Sequence, residues 1–245
     1  MFFLQLVVRA FVTAWILLRF GVPWLFLKSR RPEFVRRAFE ELGPTYIKFG
    51  QIIASSPGLF PEPYVEEFQQ LLDRVPQFPF ETVQEIIEDE TGKPMTEAFA
   101  EVQRVPIAAA SIAQVHQATL HDGKKVAVKV QRRGIESKIR SDVHILYSLA
   151  QLFEGRVKVP GLHTPTGIVR EFDVAIHNEL DFNQELQAAD RFGANFRGNP
   201  NVIVPRVYPR WSTRRLLVME LVRGEPLASA VSWSRARLAE AARQG

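Results

Sequence analysis

The 245-residue chain contains no cysteine, which excludes a disulfide framework, thiolate zinc sites and cysteine nucleophiles together. Its five histidines show no metal-ligand spacing, and no serine sits in a nucleophile-elbow context. No internal repeat or low-complexity tract interrupts it, and 46% hydrophobic residues are too many for a wholly disordered or fibrous chain. A strong net charge is missing as well. The total is +4, and it is unevenly placed. Residues 1–37 hold seven basic groups (Arg9, Arg19, Lys28, Arg30, Arg31, Arg36, Arg37) against the single acid Glu33, or +6; the rest carries 24 basic and 26 acidic residues, or −2. Nothing accompanies this basic run that would turn it toward nucleic acid. There is no zinc spacing, no helix-turn-helix and no aromatic-basic interleaving on a strand, so nucleic acid is not an expected partner.

What is present at the N-terminus is an apolar run. Residues 1–27 are broken mainly by Gln5, Arg9, Thr13 and Arg19. A secretory signal places positive charge before its apolar stretch, whereas here the charge follows it. If the segment spans a membrane, the positive-inside bias places the rest of the chain on the cytoplasmic face. Two internal arginines would each cost roughly 2.5–3.5 kcal/mol near a bilayer centre. The four polar positions also fall within roughly a third of a helix circumference, a sector shared with Val12 and Ile16. An in-plane or shallow anchor, its basic residues on acidic headgroups, is therefore expected. The alternative is an apolar helix docked on the domain's own core.

Beyond it, Pro32 suits the first turn of a helix through Leu42, closed by Gly43-Pro44. A second helix carries Tyr46 to Gln51. Pro61-Glu62-Pro63 opens a third with Val65, Phe68, Leu71 and Leu72 at helical spacing, and another runs from about Glu81 to Thr91. From about Val102 the pattern changes to strand around Val115 and His116, a turn at His121–Lys124 and a returning strand over Lys125–Gln131. Helices follow over roughly 134–153 and 166–190. Two short strands, Asn201–Val204 and Arg215–Leu221, then precede a last helical stretch near Trp233–Arg243. The expected fold is α+β.

Val126 to Gln131 alternates, so the valines take one face while Ala127, Lys129 and Gln131 take the other. A lysine on the small-residue face just after a hairpin can reach nucleotide phosphates while Ala127 approaches a base, although solvent-facing strand lysines are common. The preceding turn, Ile107-Ala108-Ala109-Ala110-Ser111-Ile112-Ala113-Gln114-Val115, lies where a kinase has its glycine-rich loop. Alanine restricts positive φ, so this loop should be stiffer. An ordinary small-residue turn packed under a helix gives the same sequence.

Three segments together resemble the UbiB/AarF family of atypical kinases, over residues 33 to about 228. Leu42 to Gln51 is similar to its Lys-x-Gly-Gln extension. Ala108 to His116 is similar to its alanine-rich loop, and Glu179 to Glu185 to its Glu-x-Asp segment. The resemblance implies a kinase-like N-lobe behind a helical extension, linked to ubiquinone and isoprenoid-lipid metabolism. It makes Lys129 the ATP-binding lysine, Glu185 its ion-pair partner, and residues 107–115 the phosphate loop. Met219-Glu220-Leu221-Val222 becomes the hinge, with Glu220 and Val222 holding the adenine edge. The gap from Lys129 to Glu185 is filled by a helical insertion at 134–177. Lys48 and Gln51, three apart on one helix face, would cover the site and meet Glu179 and Asp181, which favours ATP hydrolysis or an unorthodox activity over protein phosphorylation. Asp181-Phe182-Asn183 mimics a metal-binding Asp-Phe-Gly, but it lies upstream of the hinge and inside a helical pattern.

The four expected segments are a membrane-associated stretch (1–31), the helical extension (32–101), an N-lobe with its insertion (102–228) and the start of a C-lobe that is otherwise absent (229–245). No catalytic-loop Asp and Asn and no metal-holding Asp follow Glu220, so no catalytic residue or metal ligand is expected within this chain. Magnesium is expected beside ATP only with a second lobe. The expected partners are a membrane lipid surface, quinone-biosynthesis proteins or an isoprenoid lipid. A non-catalytic regulatory or scaffold module derived from the same family is the competing reading.

Overall fold

The computed structural model describes residues 2–58, 60–71, 76–155, 164–225 and 233–244. It opens with α1 (Phe2–Phe26). A 3-10 turn at Lys28–Arg30 leads to α2 (Arg31–Leu42), whose Pro32 sits in the first turn, where no amide donor is needed. Gly43 ends α2 at φ 95°, and Pro44 begins α3 (Pro44–Ala54). The positive φ calls for glycine; a Cβ there would lie 2.9 Å from Lys138 Nζ, the end of a flexible side chain that can move aside. α4 (Glu62–Phe68) runs into a 3-10 turn at Gln69–Leu71; α5 (Phe80–Thr91) ends on left-handed Gly92, and α6 (Met95–Ala98) is a single turn.

The sheet follows. β1 (Glu101–Val102), β2 (Ala108–Ala109), β3 (Ala113–Thr119) and β4 (Lys125–Gln131) precede three helices, α7 (Ile135–Phe153), α8 (Pro165–Glu179) and α9 (Phe182–Asn195). β5 (Leu216–Glu220) and α10 (Arg235–Gln244) come last. The order is β1-β3-β4-β5, all antiparallel, with β2 also on β3. This is the expected α+β arrangement of an antiparallel sheet and helices. Register sets its two faces: Val115 opposes Lys129, and Gln114 opposes Val130. On the back face Val126, Val128, Val130, Leu216 and Val218 are buried against Val83 and Ile87 of α5 and Phe99. On the front face Ala113 and Leu217 join Leu42, Tyr46, Ile139, Phe172 and Phe182, so α2, α3, α7, α8 and α9 share one core with the sheet. Each fully buried side chain of this kind contributes roughly 1.5–3 kcal/mol.

Two expected elements differ. The helix expected over 166–190 is two helices, broken at Leu180–Asp181, where the Asp181 carboxylate accepts from the Asn183 amide at 3.0 Å and caps α9. Asp181-Phe182-Asn183 is therefore a helix start rather than helix interior. Asn201–Val204 forms no strand; β5 instead bridges to Val207, and Tyr208 N–H donates to Val218 at 2.9 Å. Leu72, part of the 134–177 insertion (156–163) and the boundary at 228/229 lie outside the described residues.

α1 lies along α2 and α7. Thr13 and Ile16 are buried, and Arg9 reaches inward, donating from Nε to Asp142 at 2.6 Å and from Nη2 to the Leu42 carbonyl at 2.7 Å. The opposite side exposes Leu4, Val8, Phe11, Trp15, Leu18, Val22 and Leu25, spaced four and three apart in turn. The helix is long and apolar enough to cross a membrane, yet its polar face is docked on the lobe. The charge behind the expected anchor is also largely answered by acids. Arg9 pairs with Asp142, Arg19 with Glu41, Arg30 and Arg37 with Glu33, and Arg36 with Glu40 and Glu67. Four of those acids lie beyond residue 37, which is why a local sum of +6 missed them. The apolar stripe, not a cationic patch, is the distinctive surface of α1.

Candidate functional site

The front face of β4 presents Lys129 between Ala127 and Gln131. Its ammonium lies 2.5 Å from Glu185 on the first turns of α9 and 4.8 Å from the centre of the Phe182 ring. Lys129 is 17% exposed and Glu185 43%, so the pair is reachable by solvent and contributes about 0.2–1 kcal/mol to stability. Its value is positional. The α8–α9 corner is pinned to the sheet by Gln131, whose amide donates to the Leu180 carbonyl at 2.7 Å, and by the Phe182 amide, which donates to Arg214 at 3.0 Å. These bonds fix where Glu185 and Phe182 meet the lysine. Phe182 was not among the expected site residues, and its position directly after a helix-capping Asp is the signal that marks it.

Lys48 Nζ lies 2.6 Å from Glu179 at the last position of α8. An anion there is disfavoured by the helix dipole, and Lys48 offsets it. The rest of the expected covering face divides. The Gln51 amide donates to the Leu71 carbonyl at 3.0 Å rather than to Glu179 or Asp181, and Asp181 caps α9. Gly50 serves packing, because a Cβ there would meet Leu71 Cδ1 at 2.3 Å and Phe39 at 3.2 Å. Of the Lys-x-Gly-Gln segment, Lys48 alone turns to the α8–α9 corner.

The expected phosphate loop divides as well. Ile107 and Ala108 are exposed and Ala109 and Ala110 half-buried, whereas Ser111, Ile112, Ala113 and Gln114 are buried. Ile112 and Ala113 belong to the front core, and the Ile112 carbonyl accepts from Arg132 at 2.8 Å. Gln114 points to the back face: its carbonyl oxygen accepts from the Phe78 amide at 2.9 Å, and its Nε2 lies 2.9 Å from His116 Nε2. His116 Nδ1 lies 2.7 Å from the Gln103 carbonyl, so Nδ1 carries the proton and Nε2 accepts from Gln114. Burial lowers the His116 pKa and holds the ring neutral. Gln114 is thus a strut behind the sheet, not a neighbour of Lys129. Val115 shares the lysine's face; with Gln117 and Met219 it is half-buried around Ala127. At the expected hinge the Glu220 amide donates to Arg206 at 2.7 Å and the Leu221 amide to Lys125 at 3.2 Å, while Val222 lies exposed past the strand.

These residues offer an ammonium fixed by a carboxylate and a ring, beside the single small residue Ala127. Among the described residues no group of three or more His, Asp or Glu could hold a metal ion. A polar cavity of about 350 Å³ lies elsewhere, between α5 and α7. Arg133 pairs there with Asp89 at 2.7 Å and Arg215 with Glu90 at 3.8 Å, which makes it a structural joint.

Residues 70–242 match the model of the ABC1 atypical kinase-like domain. A probable protein kinase UbiB of Marinobacter nauticus is 41% identical over 209 residues, covering 84% of this chain and 38% of the relative. An uncharacterised aarF domain-containing chloroplastic protein kinase of Arabidopsis thaliana is 39% identical over 200 residues, covering 80% and 37%. Among solved structures, Rv3197 of Mycobacterium tuberculosis in complex with erythromycin matches with a TM-score of 0.55 at 26% identity, over 86% of this chain and 52% of that one. The chain spans about two fifths of the length of the curated relatives it matches.

Proposed function

Because the chain belongs to the ABC1 atypical kinase-like family of UbiB and AarF homologues, we propose that it holds ATP for an atypical kinase or ATPase of ubiquinone or other isoprenoid-lipid metabolism, on the cytoplasmic face of a membrane. The observation that carries this reading is the Lys129–Glu185 pair over Phe182. A phosphate binder needs an ammonium already held where negative charge will sit, and the carboxylate holds it. Val115, Ala127 and Met219 form the face on which the base would lie beside it, and Val222 lies exposed past the strand. Ile107 and Ala108 take the phosphate side of the hairpin, while Ser111 to Gln114 support it from within.

The Lys48–Glu179 pair braces α3 against the corner that carries Glu185. This brace is the route by which the covering helix governs access to the nucleotide and disfavours a protein substrate. Membrane contact rests on the exposed stripe of α1. An isoprenoid lipid and the proteins of quinone biosynthesis are the corresponding partners.

The test is a thermal shift with ATP. Wild type gains stability with nucleotide and Lys129→Ala does not; equal shifts would favour the non-catalytic scaffold instead. For the membrane, Phe11→Asn with Trp15→Asn should release the protein from vesicles. Deleting α1 is the poorer test, because it strips Asp142 of its arginine. Continued sedimentation of the Asn variant refutes the anchor.

A further inference from the structure

The Lys129 ammonium has two neighbours of different kinds, a carboxylate 2.5 Å away and the face of the Phe182 ring, 4.8 Å from its centre. One helix supplies both. Phe182 is the first residue of α9 and Glu185 lies three further on, still within the first turn, so the two project from one helix face. They are held very differently. Glu185 is 43% exposed, and a carboxylate that open to water restrains a lysine only weakly. Phe182 is 1% exposed, belongs to the front core with Leu180 and Leu217, and its amide donates to the Arg214 carbonyl at 3.0 Å. A ring so fixed keeps its place and attracts an ammonium through its negative face. An ammonium has three N–H bonds. The carboxylate takes one and the ring covers a second direction, which leaves the third for a ligand on the open side of β4.

We propose that Phe182 is a positioning residue of the nucleotide site: its ring face, rather than its bulk, holds Lys129 so that a single N–H meets a phosphate oxygen. The proposal rests on the nucleotide reading of Lys129 and adds a requirement for an aromatic side chain at the start of α9. A ring that only fills the core could be exchanged for any apolar group of its size.

The test replaces Phe182 by pentafluorophenylalanine in the full chain. Fluorine keeps the shape and apolar character of the ring and reverses the charge of its face. Thermal unfolding should stay close to that of wild type, while ATP affinity in isothermal titration falls about fivefold, the weight of one ring face beneath a partly exposed ammonium. Phe182→Leu should lose the same affinity and, by leaving a cavity, stability as well. Without nucleotide, the ε-methylene protons of Lys129, identified by their loss in Lys129→Arg, should resonate upfield of those of other lysines under the ring current and move back in Phe182→Leu. A pentafluorophenylalanine protein with wild-type ATP affinity overturns the proposal and leaves the nucleotide reading standing, as does an unshifted Lys129 signal. Wild type without ATP affinity, or Lys129→Ala binding ATP as well as wild type, removes that reading and the proposal with it.

Discussion

Replacing Arg9 by leucine separates two pictures of α1 by the sign of the effect. In the structure Arg9 is 16% exposed and its partner Asp142 is fully buried, with Thr45 as the carboxylate's other partner. Removing one member of a buried pair strands the other, at a cost of about 3–5 kcal/mol. The partial exposure of Arg9 places this case near the lower end, about 3 kcal/mol. For a chain of this size that lowers the melting temperature by about 6–12 °C. Adding Asp142→Asn should recover most of the loss, since an amide can still accept from Thr45 and carries no stranded charge. The assay is thermal unfolding in detergent, with the three variants beside wild type. A free-standing transmembrane helix predicts the opposite, because exchanging arginine for leucine favours insertion by about 3 kcal/mol. An Arg9→Leu protein as stable as wild type, or more so, would refute the docked helix.

Three further outcomes follow from particular contacts. Gly50→Ala overpacks the crossing of α3 with Leu71 and Phe39 and should cost about 1–3 kcal/mol, read in chemical denaturation. His116 is held neutral by burial, its pKa below the ordinary 6.5. The unfolded chain therefore binds the extra proton first, so His116 supports the fold above about pH 6.5 and that support fades as pH falls toward its folded pKa. His116→Gln should flatten stability below about pH 6.5, and an unchanged slope in pH-dependent melts contradicts it. Lys48→Ala opens a half-exposed pair and should cost less than about 1 kcal/mol in the same melts, so a larger loss means the side chain has a structural role beyond Glu179.

Much of this architecture was legible in residue order, because alternation and helical spacing are local. Lys125–Gln131 reads as strand with Lys129 opposite the valines, and Pro32, Gly43 and Pro44 punctuate the first helices where the structure breaks them. The pairing of Lys129 with Glu185 came from the family resemblance and not from spacing, since 56 residues separate them. The break before α9 escaped periodicity because both helices keep an apolar face. Its trace was Asp181 three residues before Gln184, the signature of a helix start. Asn201–Val204 has strand composition but no partner edge; hydrogen bonding selects Arg206–Tyr208 instead. Gln114 belongs to the alanine-rich loop by resemblance, yet it stands one residue along the strand from Val115 and so faces the other way; Gln51 shares a helix face with Lys48, yet its amide is taken by the Leu71 carbonyl. Charge was the least legible property, since Arg9 finds its acid 133 residues away.

Everything proposed for the front face of the sheet depends on Lys129, held by Glu185, being a nucleotide-binding ammonium. Isothermal titration of the full chain with ATP measures it directly, alongside Lys129→Ala and Glu185→Gln. Wild type should bind weakly, Lys129→Ala should not bind, and Glu185→Gln should bind less than wild type. Equal ATP affinity in all three proteins contradicts it.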